Sequence, residues 1–286
     1  MRTLLKFVAV TIFFAPLLSY SLVTNRELEN KYADKILTLR QFYSGDHLRF
    51  DAHGELLGAS PTGPWTMYGT LRVKEITFRE GVVHIRGQRQ FLFYDPEKKI
   101  LRDVALVTKQ DSAHKLFKVK KLDEWAEDEG VVDIEIDCGP SPELADTVYA
   151  VNQVFLSEDE PPRKVLPSFW AEWTPVGTAK AVSPLLPGET AYRVGQGISA
   201  PHPTYSPDPE YSDIARNVGY RDAIVVLWLI VDSTGVPDRV RIVKPAGLGL
   251  DEKAVDAVRT WKFDPAMSNG SPVPVQIKVE MTFKLY

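Results

Sequence analysis

The stretch from Leu248 to Ala266 constrains this chain more than any other, because it reads as one helix that has to lie on a sheet. Leu250, Ala254, Ala257, Val258 and Trp261 recur at spacings of three and four, so they share a face. Asp251 and Glu252 fall in the first turn, with Arg259 and Lys262 near the last, a charge order that suits the helix dipole. Gly249 stands at the start, and Pro265 ends any continuation. On the upstream side, Ile224 to Val231 is an uninterrupted β-prone run; Asp232-Ser-Thr-Gly235 turns it, and Val236 to Val243 returns as the partner strand of a hairpin. Downstream, the turn Ser268-Asn-Gly-Ser271 leads into Val273 to Tyr286. There Val275, Ile277, Val279, Met281, Phe283 and Leu285 alternate with Gln276, Lys278, Glu280, Thr282 and Lys284. Period two over that span predicts a half-buried strand with one wet face. A short helix is expected over Pro209 to Gly219. The expected fold class is α+β: a C-terminal three-stranded antiparallel sheet with helices, preceded by a β-rich N-terminal domain.

These residues, taken together, resemble the C-terminal domain of the TonB energy-transducer family. The likeness is carried by Pro203 and Tyr205, Pro209 to Tyr211, Ala215, Asp232 and Gly235, Leu250, Asp251 and Ala254, Ala257 to Ala266, and Gly270 to Val273. It covers about residues 201–286. Ser212 stands where the family usually has Pro, and Ala223 where it usually has Gly before the first strand. The resemblance implies a domain that binds a short extended segment of an outer-membrane TonB-dependent receptor and passes force to it from an inner-membrane motor complex. It also implies that the contact is the backbone of the last strand, through Gln276, Lys278, Glu280, Thr282 and Lys284. An exposed strand edge carries unpaired N–H and C=O groups, so a partner peptide can add to it. The same strand must first complete the sheet, where Lys278, Glu280 and Lys284 would guard its edge.

Length allows two domains, and the expected division is residues 22–156 for the β-rich N-terminal domain, 157–200 for a Pro-rich connector and 201–286 for the C-terminal domain. Residues 1–21 combine Met1-Arg2 and Lys6, an apolar run from Phe7 to Leu18, and Ser19-Tyr-Ser21 at a cleavage-site spacing. A cleaved signal peptide and a retained anchor over Leu4 to Val23 both fit, and both place the body of the protein in the periplasm. In the N-terminal domain, Trp65 to Phe78 and Val82 to Tyr94 read as strands around a turn at Arg79-Glu-Gly81, with a further strand from Leu101 to Thr108 and a strand-like run from Val131 to Ile136. Ser141-Pro-Glu would open a helix whose apolar face is Leu144, Ala145, Val148, Val151 and Phe155. The connector is punctuated by Pro but holds Phe169, Trp170 and Trp173, so its aromatics would pin it to a domain. It lacks the long Lys-Pro and Glu-Pro tract of the TonB architecture.

A net charge of −4 and the absence of a basic stripe argue against a nucleic-acid partner. No catalytic, cofactor or metal residue is assigned. Asp46, His47, Asp51 and His53 read as a solvated turn rather than a metal site. His84 falls in a strand, and Gly195-Gln-Gly197 is too short to cradle a phosphate. The single Cys, Cys138, has no neighbouring His. Two functions follow: a TonB-like transducer that engages outer-membrane receptors, or a periplasmic binding or scaffold protein using the same domain without energy coupling.

Overall fold

The computed structural model describes residues 23–103, 130–140, 142–170, 184–185 and 190–285. Residues 1–21, read as signal or anchor, lie outside them, as do Leu106 to Thr108 and Trp173. The molecule is α+β, as the alternating patterns imply. Its N-terminal half runs α1 (Asn25–Tyr32), β1 (Ile36–Thr38), β2 (His47–Phe50), α2 (Trp65–Tyr68), β3 (Thr70–Arg79), β4 (Val82–Arg89), β5 (Leu92–Asp95), β6 (Ile100–Asp103), β7 (Val131–Asp137) and α3 (Leu144–Val154). Thr24 and Glu27 form a capping box that starts α1. Five strands form one sheet in the order β1-β3-β4-β7-β2, antiparallel except that β2 runs parallel to β7. Of the three inner strands, β4 and β7 alternate: Val83 and Ile85 of β4 and Val132, Ile134 and Ile136 of β7 are buried, with polar neighbours between them.

Three expectations are corrected here. Trp65 to Phe78 is not one strand: Pro64 supplies the φ of a helix start, Trp65 to Tyr68 make one helical turn, Gly69 ends it, and β3 begins at Thr70. Val82 to Tyr94 is also broken. The Gln90 N–H still donates to the Thr70 carbonyl at the start of β3, where the β3–β4 ladder runs out, and the chain restarts as β5 at Leu92. The third helix opens at Leu144 with Glu143 as its cap, and buries Thr147, Ala150, Val151 and Val154. Ala145 is exposed, so the face is rotated from the one expected.

The C-terminal half runs β8 (Tyr192–Arg193), β9 (His202–Tyr205), α4 (Asp213–Asn217), β10 (Ala223–Val231), β11 (Pro237–Lys244), α5 (Leu250–Thr260), β12 (Lys262–Asp264), β13 (Ala266–Ser268), β14 (Ser271–Val273) and β15 (Val275–Phe283). The antiparallel trio β11-β10-β15 forms as expected, and a two-residue strand, β8, extends it to four. Val225, Leu227, Leu229 and Val231 of β10 meet Leu250, Ala254, Val255 and Val258 of α5 in the core. The long final strand is shorter than its alternation suggests, because Pro274 separates β14 from β15 and the strand stops at Phe283. Helix α4 starts at Asp213 rather than Pro209. Ser212 caps it by accepting the Ala215 N–H, and the same hydroxyl donates to the Leu248 carbonyl at 2.5 Å. Ser here adds a tie that Pro could not make.

The halves share one core. The Leu248 N–H donates to the Leu92 carbonyl, and the Tyr94 N–H to the Ala246 carbonyl, each at 2.9 Å. Gly247 between them has φ 87°, and a Cβ there would sit 2.3 Å from the Leu92 oxygen. Trp170 of the connector is fully buried and packs edge-on against Trp65, with centroids 4.8 Å apart. No helix among the described residues is long and apolar enough to cross a membrane.

Candidate functional site

The antiparallel trio β11-β10-β15 has two outer strands, and they differ in what lies beside them. Beyond β11 sits the one-turn 3-10 helix Ser168–Trp170 of the connector. The Arg259 guanidinium stacks over its Phe169 ring, 5.5 Å from the centroid. Beyond β15 the neighbour is β8, which pairs only with Val275 and Gln276. From Ile277 to Phe283 no described strand lies on that side.

Backbone direction along β15 follows from two observations. Its register with β10 is unbroken from Val275 opposite Val231 to Phe283 opposite Ala223. On the other side, the Tyr192 N–H donates to the Pro274 carbonyl at 3.0 Å, so residue 274 points away from β10. N–H and C=O directions alternate along a strand. Val275, Ile277, Val279, Met281 and Phe283 therefore bond to β10, and Gln276, Lys278, Glu280 and Thr282 turn their backbone groups to the outer edge. The side chains alternate too. Val275, Met281 and Phe283 are buried under the helix side, while Lys278, Glu280 and Thr282 are exposed on the opposite face. Lys278 and Glu280 pair with each other at 3.1 Å. Alongside them on β10 runs an apolar row, with Ile224 opposite Thr282, Val226 opposite Glu280 and Trp228 opposite Lys278. A strand added at this edge would lay alternate side chains beside that mixed apolar and charged strip. Lys284, the last residue expected to take part, lies just past the end of β15.

Two other groups of titratable residues stand out. Asp251 was read as a first-turn charge for the helix dipole; instead it is fully buried and accepts the N–H groups of Ala246 (2.8 Å) and Gly247 (2.7 Å), shaping the loop that meets the N-terminal half. Glu252 accepts the Trp170 indole N–H at 3.0 Å. Burial pushes both carboxyls above the ordinary carboxylate range, and the Asp251 charge raises Glu252 further. This placement was hidden in the sequence, since an acidic first turn is also what a solvated helix carries. Across the outer face of the N-terminal sheet, Asp133 and Glu135 of β7 sit between basic residues on both sides. Arg49 approaches Glu135 at 3.0 Å and Arg86 approaches Asp133 at 3.6 Å, with His47 and His84 on the same carboxylates. These are exposed cross-strand pairs, each worth little on its own.

The turn around Asp51 is built by that carboxylate, which accepts the His53 and Glu55 N–H groups. Burial pushes the half-buried Cys138 thiol up to about 11. Gly195-Gln-Gly197 makes a tight turn in which Gln196 and Gly197 both have positive φ. Among the described residues no group of three or more His, Cys, Asp or Glu side chains is arranged to hold a metal ion.

The C-terminal half is thus an α+β module in which, among the described residues, only β8 covers the outer edge of β15, at Val275 and Gln276. Residues 207–285 match the family described as Gram-negative bacterial TonB protein C-terminal. Protein TonB of Vibrio cholerae serotype O1 (strain ATCC 39315 / El Tor Inaba N16961) is 33% identical over 79 residues, 27% of this chain and 32% of that protein. Protein tonB2 of Pseudomonas aeruginosa (strain PAO1) is 33% identical over 82 residues, 28% of this chain and 30% of that protein. The matched part of the chain spans about a third of the length of these relatives. The solution NMR structure of the Pseudomonas aeruginosa TonB CTD aligns over 32% of this chain and 89% of that one, with 21% identity and a TM-score of 0.25. The TonB resemblance is confined to the C-terminal domain.

Proposed function

We propose that this chain is a TonB-like interaction protein of the periplasm, whose C-terminal domain takes up an extended segment of an outer-membrane TonB-dependent receptor by strand addition along β15. The observation that carries this is the outward row of backbone N–H and C=O groups at Lys278, Glu280 and Thr282, beyond the reach of β8. Such a row gives an incoming peptide main-chain hydrogen bonds, each contributing about 0.5–1.5 kcal/mol net. The similarity of residues 207–285 to the TonB C-terminal family supports the choice of partner. Binding of this kind assigns no catalytic residue.

The test uses proline as a directional probe. Glu280→Pro removes an outward N–H and leaves the β10 ladder whole, so the protein should stay folded and lose affinity for a synthetic peptide of a receptor's periplasmic N-terminal segment by roughly tenfold, about 1.4 kcal/mol. Val279→Pro removes an N–H that bonds to β10 and should unfold the sheet, read by circular dichroism. Undiminished peptide affinity in a folded Glu280→Pro protein would sink the edge assignment.

A second reading, a binding or scaffold protein without energy coupling, is favoured by the connector. Phe169 and Trp170 are buried in the body of the molecule, which shortens the reach available to a tethered domain. Intact mass of the protein from soluble periplasmic and inner-membrane fractions separates the two. A soluble form starting near Leu22 favours the scaffold, and a full-length membrane form favours the transducer.

A further inference from the structure

The edge on which this reading rests is partly occupied by the chain itself. β8 lies parallel on β15, Tyr192 opposite Val275 and Arg193 opposite Gln276. The segment then reverses between Gly195 and Ile198, which exchange both backbone hydrogen bonds at 3.0 and 3.1 Å. Gln196 at φ 53° and Gly197 at φ 87° give that reversal the two left-handed residues of a type I′ turn. Its far end is fastened to β13: the Ser199 N–H donates to the Met267 carbonyl at 3.0 Å, and the Met267 N–H donates to the Ser199 hydroxyl at 2.9 Å. The side chains add little. Tyr192 is 48% exposed and Val194 47%, and Arg193 is exposed as well. This strap is held by backbone hydrogen bonds, the same kind of bond an incoming strand would use. One row of edge groups serves one strand at a time.

We propose that residues 190–199 are an internal occupant of the partner-binding edge, a built-in pseudo-ligand that a receptor segment must displace from Val275 and Gln276 to pair along the whole of β15. The proposal rests on the strand-addition reading for its partner, but the occupied edge can be tested without one.

The experiment compares the full chain with a variant in which residues 192–198 are replaced by a Gly/Ser linker of equal length. Two probes are used: a synthetic peptide of Thr190 to Ser199, and the receptor-segment peptide. The wild-type protein should leave the Thr190–Ser199 peptide unbound, and the linker variant should capture it. The variant should also bind the receptor segment about tenfold tighter, the effect expected of removing two or so competing backbone bonds. Unchanged or weaker receptor-segment affinity in a folded variant that also ignores the Thr190–Ser199 peptide would overturn the proposal. Capture of that peptide, with neither protein binding the receptor segment, would uphold the occupied edge and overturn the strand-addition reading instead. Should the linker variant fail to fold, Tyr192→Pro removes only the donor to Pro274 and is read by the same two probes, with Arg193→Pro as the control whose N–H points away from β15.

Discussion

Asp251 and Glu252 are adjacent carboxyls that do different work. Asp251 holds two loop N–H groups with its two oxygens. Glu252 anchors the Trp170 indole. A carboxyl whose folded pKa is raised stabilises the fold fully below its unfolded value, near 4, and that contribution is lost as pH rises through the raised value. Glu252→Gln keeps an acceptor for Trp170 and removes one of the two buried charges. It should therefore raise stability at pH 8 by about 1 kcal/mol or more, one pKa unit's equivalent, and change it little at pH 4. Asp251→Asn should do the reverse at neutral pH. An amide accepts through one oxygen only, so one of the Ala246 and Gly247 donors loses its partner at a cost of about 1–3 kcal/mol. Thermal melts of both variants at the two pH values check this, and an equal shift of the Glu252→Gln melt at both would contradict it. Glu160, pulled down to about 2 by Lys164, the Ser157 N–H and Arg40, loses some of its stabilising effect at pH 4, but it does so equally in wild type and variants and cancels in the comparison. At this scale the sequence says least. Whether an acidic first turn faces water or a neighbouring loop depends on Trp65, Trp170 and Gly247, which are distant in the chain.

Elements were legible where a periodic pattern is long enough to outvote local exceptions. The alternation through Val275 to Phe283 and the three-and-four spacing from Leu250 identified β15 and α5, and the Asp232 to Gly235 turn between β10 and β11 was visible from its residue types. Short elements were not legible. Helix α2 is a single turn inside a run rich in β-formers, set by Pro64 and Gly69. β8 is two residues long and is a strand only because β15 lies beside it, so no property of Tyr192 and Arg193 alone announces it. The outer-edge residues sit between these cases. The period shows which side chains share a face, but which backbone groups point outward depends on β10 bonding to the odd residues, and the bond from the Tyr192 N–H to the Pro274 carbonyl is what fixes that.

Across the whole molecule, the packing of the two halves is the feature that sequence reasoning resolved least. The connector was expected to be extended and pinned by its aromatics, and Trp170 is in fact a core residue, between Trp65 and Glu252. Because its neighbours come from both halves, Trp170→Ala should cost about 3–5 kcal/mol and lower the single unfolding midpoint in urea. Two separate transitions in the wild-type protein, with only one moved by the substitution, would show that the halves fold independently. The shared core also bears on function, since the connector lies against both sides of the C-terminal sheet, with Ser168–Trp170 beside β11 and Tyr192–Arg193 on the start of β15.

The central claim is that β15 pairs with a partner through alternate residues, and amide hydrogen exchange reads it residue by residue. With the receptor-segment peptide added, the amides of Lys278, Glu280 and Thr282 should become protected, while those of Ile277, Val279 and Met281, already bonded to β10, should stay as they were. Protection that appears on another element, or on none, would contradict the account.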